Sequence, residues 1–222
     1  MASSAAWGVG ATIHYYQSLI DASRLRGIDL ALLIAHADVS RVLSYVGEAK
    51  LSELSHYLAG FANRLVGAGA EVGAIAAITP HICLPELRHL TKLPFISLPE
   101  ETAREIKLRG LKRVALFGTR FTIETRLFGT LDEVEVILPK REEIDAIHSA
   151  YVGIVNAGRA SAKDESNLRT IAHTLCRRDG VEAIVLAGTE LALVFNQDNT
   201  DFPAVDCAQV HIDAIIRKMA GI

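Results

Sequence analysis

Short apolar runs alternate with amphipathic segments from end to end of the chain, and this alternation restricts the fold more than any other feature. Residues 28–35 (IDLALLIA), 73–78 (GAIAAI), 113–117 (RVALF) and 183–187 (AIVLA) are too short for buried helices and almost wholly apolar. Such runs read as strands covered on both faces. Residues 134–138 and 202–205 add two more strands. A short one at 93–97 carries Pro94, which cannot donate to a ladder and belongs at a strand start or an edge. Between them, residues 51–65 have helical spacing and are stopped by Gly67 and Gly69. Pro99 opens a helix through Leu108, and residues 122–128, 142–156, 162–178 and 208–219 also read as helices. Strands alternating with helices imply parallel sheets with helices on both faces and right-handed crossovers.

The scheme runs twice. Residues 183–193 (AIVLAGTELAL) repeat the shape of residues 74–84 (AIAAITPHICL): an apolar run, a polar turn, then a helix start. The expected fold class is α/β, with two similar domains, each a parallel sheet flanked by helices. The seam falls between Ser97 and Glu100. Residues 1–98 plus 207–222 form the first domain and residues 99–206 the second.

Composition removes several classes of function. A net charge of −3 gives no electrostatic case for nucleic acid or an anionic membrane. No run approaches the roughly 20 apolar residues of a membrane span, and the opening MASSAAWGVG lacks the basic start and long apolar middle of a signal peptide. Cys83, Cys176 and Cys207 are odd in number and far apart, which reads as reduced thiols in a cytoplasmic protein. The histidines are scattered, so no metal site is expected. Gly8 and Gly10 form a GxG without a full strand before it, which is too little for a dinucleotide site.

In open parallel sheets, ligands bind at the carboxyl ends of strands. Four such ends carry polar groups here: Thr79-Pro80-His81; Gly118-Thr119 with Thr122; Gly188-Thr189-Glu190; and Asp206-Cys207 with His211 one helical turn on. Each threonine taken alone reads as a helix cap. Four such ends in one chain point to a shared cleft, because caps and carboxylate cradles use the same hydroxyl and N–H groups. His81 and His211 are the neutral-pH proton carriers of the set, with an equally good reading as hydrogen-bonded helix histidines. Glu190 is a general acid or, the favoured reading, a first-turn carboxylate placed by the helix dipole. Cys83 reads as a buried, inert thiol, and Cys207 carries little functional weight.

The chain resembles the aspartate/glutamate racemases, which use neither pyridoxal phosphate nor metal. The resemblance runs through GATIHYYQSLI, ITPH, VALFGTRFTIET, VLAGTEL and the close from Asp206 to His211. It implies two similar α/β domains with the active site between them, a homodimer, no cofactor, and a small carboxylate or amino acid as ligand. It also implies a cysteine from each domain, on opposite faces of the substrate α-carbon. Here those positions fall on Ala77 and Gly188, and Ile78 stands where an asparagine precedes the threonine; Cys83 and Cys207 match neither cysteine position. Relatives open with a full apolar strand, whereas this chain offers MASSAAW before Gly8.

The expected function is therefore a racemase-family isomerase of a small amino acid or related carboxylate, using cofactor-free acid–base chemistry without the cysteine pair. His81, Glu190 and His211 are its candidate acid–base groups, and Thr79, Thr119, Thr122 and Thr189 its substrate-binding hydroxyls. The alternatives are another reaction on the same fold (a lyase, a decarboxylase or a one-base isomerase) and a non-catalytic carboxylate-binding protein. Arg41, Arg159 and Lys163 are candidates for a second carboxylate, each equally readable as a surface charge.

Overall fold

The computed structural model describes residues 9–196 and 198–221. Gly8, half of the GxG pair, lies outside the described residues; Gly10 sits in helix α1, Val9–Arg26. The chain continues through α2 (Val39–Gly47), α3 (Leu51–Gly67), strand β1 (Gly73–Ala74), a 3-10 turn at Thr79–Cys83, and α4 (Leu84–Leu90). Then come β2 (Phe95–Ile96), α5 (Leu98–Leu108), β3 (Arg113–Gly118), α6 (Arg120–Glu124), β4 (Glu135–Val136), α7 (Arg141–Ala157) and α8 (Ala162–Asp179). The chain closes with β5 (Ala183–Ala187), a 3-10 turn at Thr189–Leu193, β6 (Ala204–Asp206) and α9 (Cys207–Met219).

The second half holds a fully parallel sheet in the order β4-β3-β5-β6. Every residue of β5 and all but the first of β3 are buried, as expected of strands covered on both faces. Their apolar side chains share one core with Ile144, Ile147 and Ile154 of α7 and Leu168, Ala172 and Leu175 of α8. The flanking helices start and stop where their sequences direct. Ser161 caps α8 through Asp164 N, and Gly158 and Gly180 end α7 and α8 in the left-handed conformation that glycine adopts without strain. No described helix is long and apolar enough to cross a membrane.

The two parallel strands meet tightly at their carboxyl ends. A β-carbon at Gly118 would stand 2.3 Å from the carbonyl oxygen of Ala187. The obstacle is backbone and cannot swing aside. Gly118→Ala should therefore lower stability by about 3 kcal/mol, read by thermal or urea unfolding; an unchanged midpoint would mean that the strand ends lie further apart than described.

The first half departs from expectation. β1 is only Gly73–Ala74, paired in parallel with β2, instead of a strand over 73–78. Pro94 precedes β2 and accepts from Gly73 N at 2.9 Å, so the proline stands at a strand start as its chemistry requires. Residues 28–35 pair with no described strand, which corrects the buried-strand reading. They do keep a two-residue period at first: Ile28, Leu30 and Leu32 pack on Tyr15, Leu19 and Ile215, while Leu33 and Ile34 are 50% and 59% exposed. The physical reason is a missing neighbour. A ladder partner must lie about 4.8 Å away, but a cavity of about 620 Å³, lined by Leu30, Leu32, Phe61, Gly73 and Ala74, lies between this segment and β1.

The helix expected over 122–128 ends at Glu124. Arg126, Leu127 and Phe128 take positive φ (52°, 55° and 61°), the region that L residues avoid because Cβ crowds the following carbonyl. Full burial of Leu127 in the core holds them there.

Candidate functional site

β3, β5 and β6 run in the same direction, so their carboxyl ends share one edge of the sheet. After β5 the chain turns through Gly188 into Thr189 and Glu190, both buried. The Thr189 hydroxyl donates toward Glu190 Oε2 at 3.2 Å and toward the carbonyl of Ala76 at 3.5 Å. The second contact spans the two halves of the chain and sets the β5 turn against the turn after β1. Ala77 and the half-buried Thr79 follow directly on that side. The Thr79 hydroxyl makes no hydrogen bond to the described residues.

Glu190 is 5% exposed, and the Tyr151 hydroxyl of α7 donates to its Oε2 at 2.5 Å. The other oxygen, Oε1, accepts no hydrogen bond from the described residues. Burial, and then the neighbouring Glu190 carboxylate, push the Tyr151 phenol well above its usual range, so it remains a donor at neutral pH. The phenol thus pins one carboxylate oxygen and leaves the other free to accept.

On the neighbouring strand end, Thr119 caps α6: its Oγ1 accepts from Thr122 N at 3.1 Å and lies 2.9 Å from Thr122 Oγ1. The close contact of Gly118 with Ala187 keeps this pair beside the Gly188 turn. Asp206 ends β6 and caps α9, its Oδ1 accepting from Ala208 N and Gln209 N.

The two histidines are placed differently. His81 donates from Nδ1 to the Ala77 carbonyl at 2.8 Å and accepts at Nε2 from Leu98 N at 3.2 Å. His211 donates from Nε2 to the Ile96 carbonyl at 3.0 Å and accepts at Nδ1 from the Tyr15 hydroxyl at 3.0 Å. These roles follow from the partners, since a carbonyl only accepts and a backbone N–H only donates. Burial, then the charge of His211, brings His81 down to about 3; burial brings His211 down to about 4. Both rings are therefore neutral at pH 7 with neither nitrogen free; His81 ties its turn to α5, and His211 ties α9 to α1 and β2. The helix-histidine alternative fits this geometry better than proton transfer does. The neighbouring Tyr15 hydroxyl is raised by burial and by Asp206, Cys207 and Glu190 in turn.

The thiols offer no base. Burial pushes Cys207 up to about 12 and raises Cys83 and Cys176. Cys83 donates to the Pro80 carbonyl. Among the described residues, no three histidine, cysteine, aspartate or glutamate side chains group as metal ligands would. Arg159 and Lys163 are exposed, and Arg41 donates to Tyr45 and stacks 4.5 Å over Tyr57, an arrangement of surface charge.

A family model described as Asp/Glu/Hydantoin racemase matches residues 7–215. The chain belongs to this family. Three solved structures show how closely its fold follows the family. A putative Asp/Glu racemase from Yersinia pestis superposes with a TM-score of 0.82 at 24% identity, covering 95% of this chain and 94% of that one. An aspartate racemase homologue from Pyrococcus horikoshii OT3 gives 0.75 at 25% identity, with 95% and 94% covered. The Picrophilus torridus aspartate racemase gives 0.68 at 19%, with 96% and 90% covered. Parallel sheets flanked by helices are thus the family architecture.

Sequence reasoning passed over Tyr151 and Tyr15. Tyr151 sits at helical spacing from Ile144, Ile147 and Ile154, so it reads as one more core residue of an amphipathic helix. No local pattern says that its hydroxyl meets a carboxylate 39 residues on.

Proposed function

We propose that this protein is a cofactor-independent isomerase that acts on the α-proton of a small amino acid or related carboxylate, with Glu190 as its acid–base group. The supporting observation is the state of Glu190: a buried carboxylate at a strand end, held by a phenol and a threonine on Oε2, with no described residue donating to Oε1. A base so placed needs no further ordering before it accepts a proton. Thr119, Thr122 and Thr189 supply hydroxyls along this edge, and Thr79 supplies one from the facing turn, for the substrate carboxylate. The lobes 1–98 plus 207–222 and 99–206 form the two walls of the cleft, in a homodimer. His81 and His211 act as struts beneath the site.

Ala77 carries no ionisable group, so on this reading one face of the substrate meets Glu190 and the other meets a methyl group. The chemistry this favours is one-base exchange, with proton return mainly to the face it left. The empty acid–base positions at 77 and 188 also favour a second reading, a carboxylate-binding protein without catalysis.

Incubation with L- and D-aspartate and L- and D-glutamate in heavy water separates these. The expected result is loss of the α-proton signal by NMR with little loss of optical purity. Exchange with full inversion would require a second group opposite Glu190. Saturable binding with no exchange would overturn the isomerase reading in favour of the binding protein.

A further inference from the structure

Gly188 is the residue between β5 and the Thr189–Glu190 pair. Its backbone is extended, with φ at −156° and ψ at 116°, a conformation open to any residue. The chain geometry therefore does not call for glycine there. The neighbour does. A β-carbon at 188 would stand 2.3 Å from Cε2, 2.7 Å from Cζ and 3.0 Å from Cδ2 of Tyr151. These are contacts with a ring, not with the loose end of a flexible chain. Tyr151 is only 8% exposed, and it is anchored on α7 between Ile147 and Ile154, both fully buried in the main core. The same ring carries the hydroxyl that donates to Glu190 Oε2. One side chain thus accounts for two features: the empty position at 188 and the fixed orientation of Glu190.

We propose that Tyr151 is the positioning residue of this site, that Gly188 is there to admit its ring, and that a Glu190–Tyr151 carboxylate–phenol pair takes the face where position 188 would otherwise project a reactive side chain. The catalytic part of this rests on Glu190 being the acid–base group. Tyr151 keeps its proton throughout. Its O–H donates to Oε2 and so directs the basic lone pair of Oε1 outward. When Oε1 takes a proton, the O–H bond to Oε2 weakens; when the proton leaves, it strengthens.

Two arms test the proposal. The first is steric and needs no activity. Gly188→Ala should lower the unfolding midpoint by about 5–10 °C. The same change on a Tyr151→Leu background, where the outer ring atoms are gone, should lower it by no more than about 2 °C. If Gly188→Ala does not fold at all, its recovery by Tyr151→Leu is the expected result. Equal penalties in both backgrounds, or no recovery, would overturn the steric claim.

The second arm reads positioning. Tyr151→Phe keeps the ring and removes the donor. Its α-proton exchange should fall about 10²-fold in kcat with KM nearly unchanged, because the carboxylate has lost the donor that orients it. A folded Tyr151→Phe with unaltered kcat would overturn positioning. Should wild-type protein show no exchange, the functional reading fails and the contact is read by infrared instead. The carboxylate band that disappears in Glu190→Gln should then change frequency in Tyr151→Phe, and an unmoved band counts against the pair.

Discussion

Glu190→Gln should lower α-proton exchange by about 10²–10⁴-fold, the range a positioned acid–base group typically contributes, while the protein stays folded. The amide has nearly the shape of the carboxylate, and its oxygen can still accept from Tyr151 and Thr189, the two donors that reach Oε2. What it cannot do is take up a proton at neutral pH. The stability change should be about 1 kcal/mol, the usual net worth of one hydrogen bond, because packing is unchanged and a charge leaves a buried site. KM should hardly move if Glu190 touches the substrate only through the reacting proton. The check is exchange kinetics in heavy water beside a urea unfolding curve. Full exchange in a folded Glu190→Gln protein would remove Glu190 from the chemistry. Replacement of His81 or His211 should show the opposite balance: a large loss of stability, with exchange reduced in proportion to the folded fraction.

What the sequence made legible follows from how local each signal is. β3 and β5 were readable because continuous apolar runs bounded by glycine have no other stable use, and both runs are buried as expected. α7 and α8 were readable from their apolar stripes, the Ser161 cap and the glycines that end them. Residues 28–35 carry a similar apolar composition, but a strand is defined by its partner and the partner is not local. α1 was obscured in another way: it buries Ala11, Tyr15 and Leu19 yet exposes Ile13, Tyr16 and Leu25, so its apolar residues ring the helix and give no clear stripe. At the site, the threonines showed themselves because capping is a local grammar of hydroxyl and N–H. The substitutions at Ala77 and Gly188 were visible only through the family resemblance. The reason glycine suits position 188 is a ring 37 residues earlier in the chain, which no spacing rule reports.

Stability should fall steeply as pH drops from about 6.5 to 4, and the two buried histidines should account for most of the loss. Above the ordinary histidine value of 6.5 the rings are neutral in both folded and unfolded chains, so they exert no pull. Below it the unfolded chain takes up protons that the folded chain refuses, His211 until about 4 and His81 until about 3. Refusal has a structural cause: a charged ring would be buried, and on His81 the added hydrogen at Nε2 would also face the Leu98 N–H, a donor against a donor. One pH unit is worth about 1.4 kcal/mol per proton, so either ring alone withdraws about 3 kcal/mol over the window. The rings are 6.2 Å apart and repel when both are charged, which only strengthens the folded chain's refusal, so the two losses add to about 6 kcal/mol, comparable to a typical total stability. Asp206 works the other way. Burial raises its carboxyl, so the folded chain takes that proton more readily than the unfolded chain does, and this offsets part of the loss near the bottom of the window. Carboxylates held low by ion pairs, such as Glu143 beside Arg178, add their own loss only below the ordinary carboxylate range. Urea unfolding at a series of pH values should therefore show a slope approaching two protons per molecule below about pH 6, and NMR of the imidazole protons should show two rings that do not titrate until the protein unfolds. A flat profile down to pH 5, or either ring titrating near 6.5 in the folded state, would mean that His81 and His211 reach solvent, and the case for them as proton carriers would return.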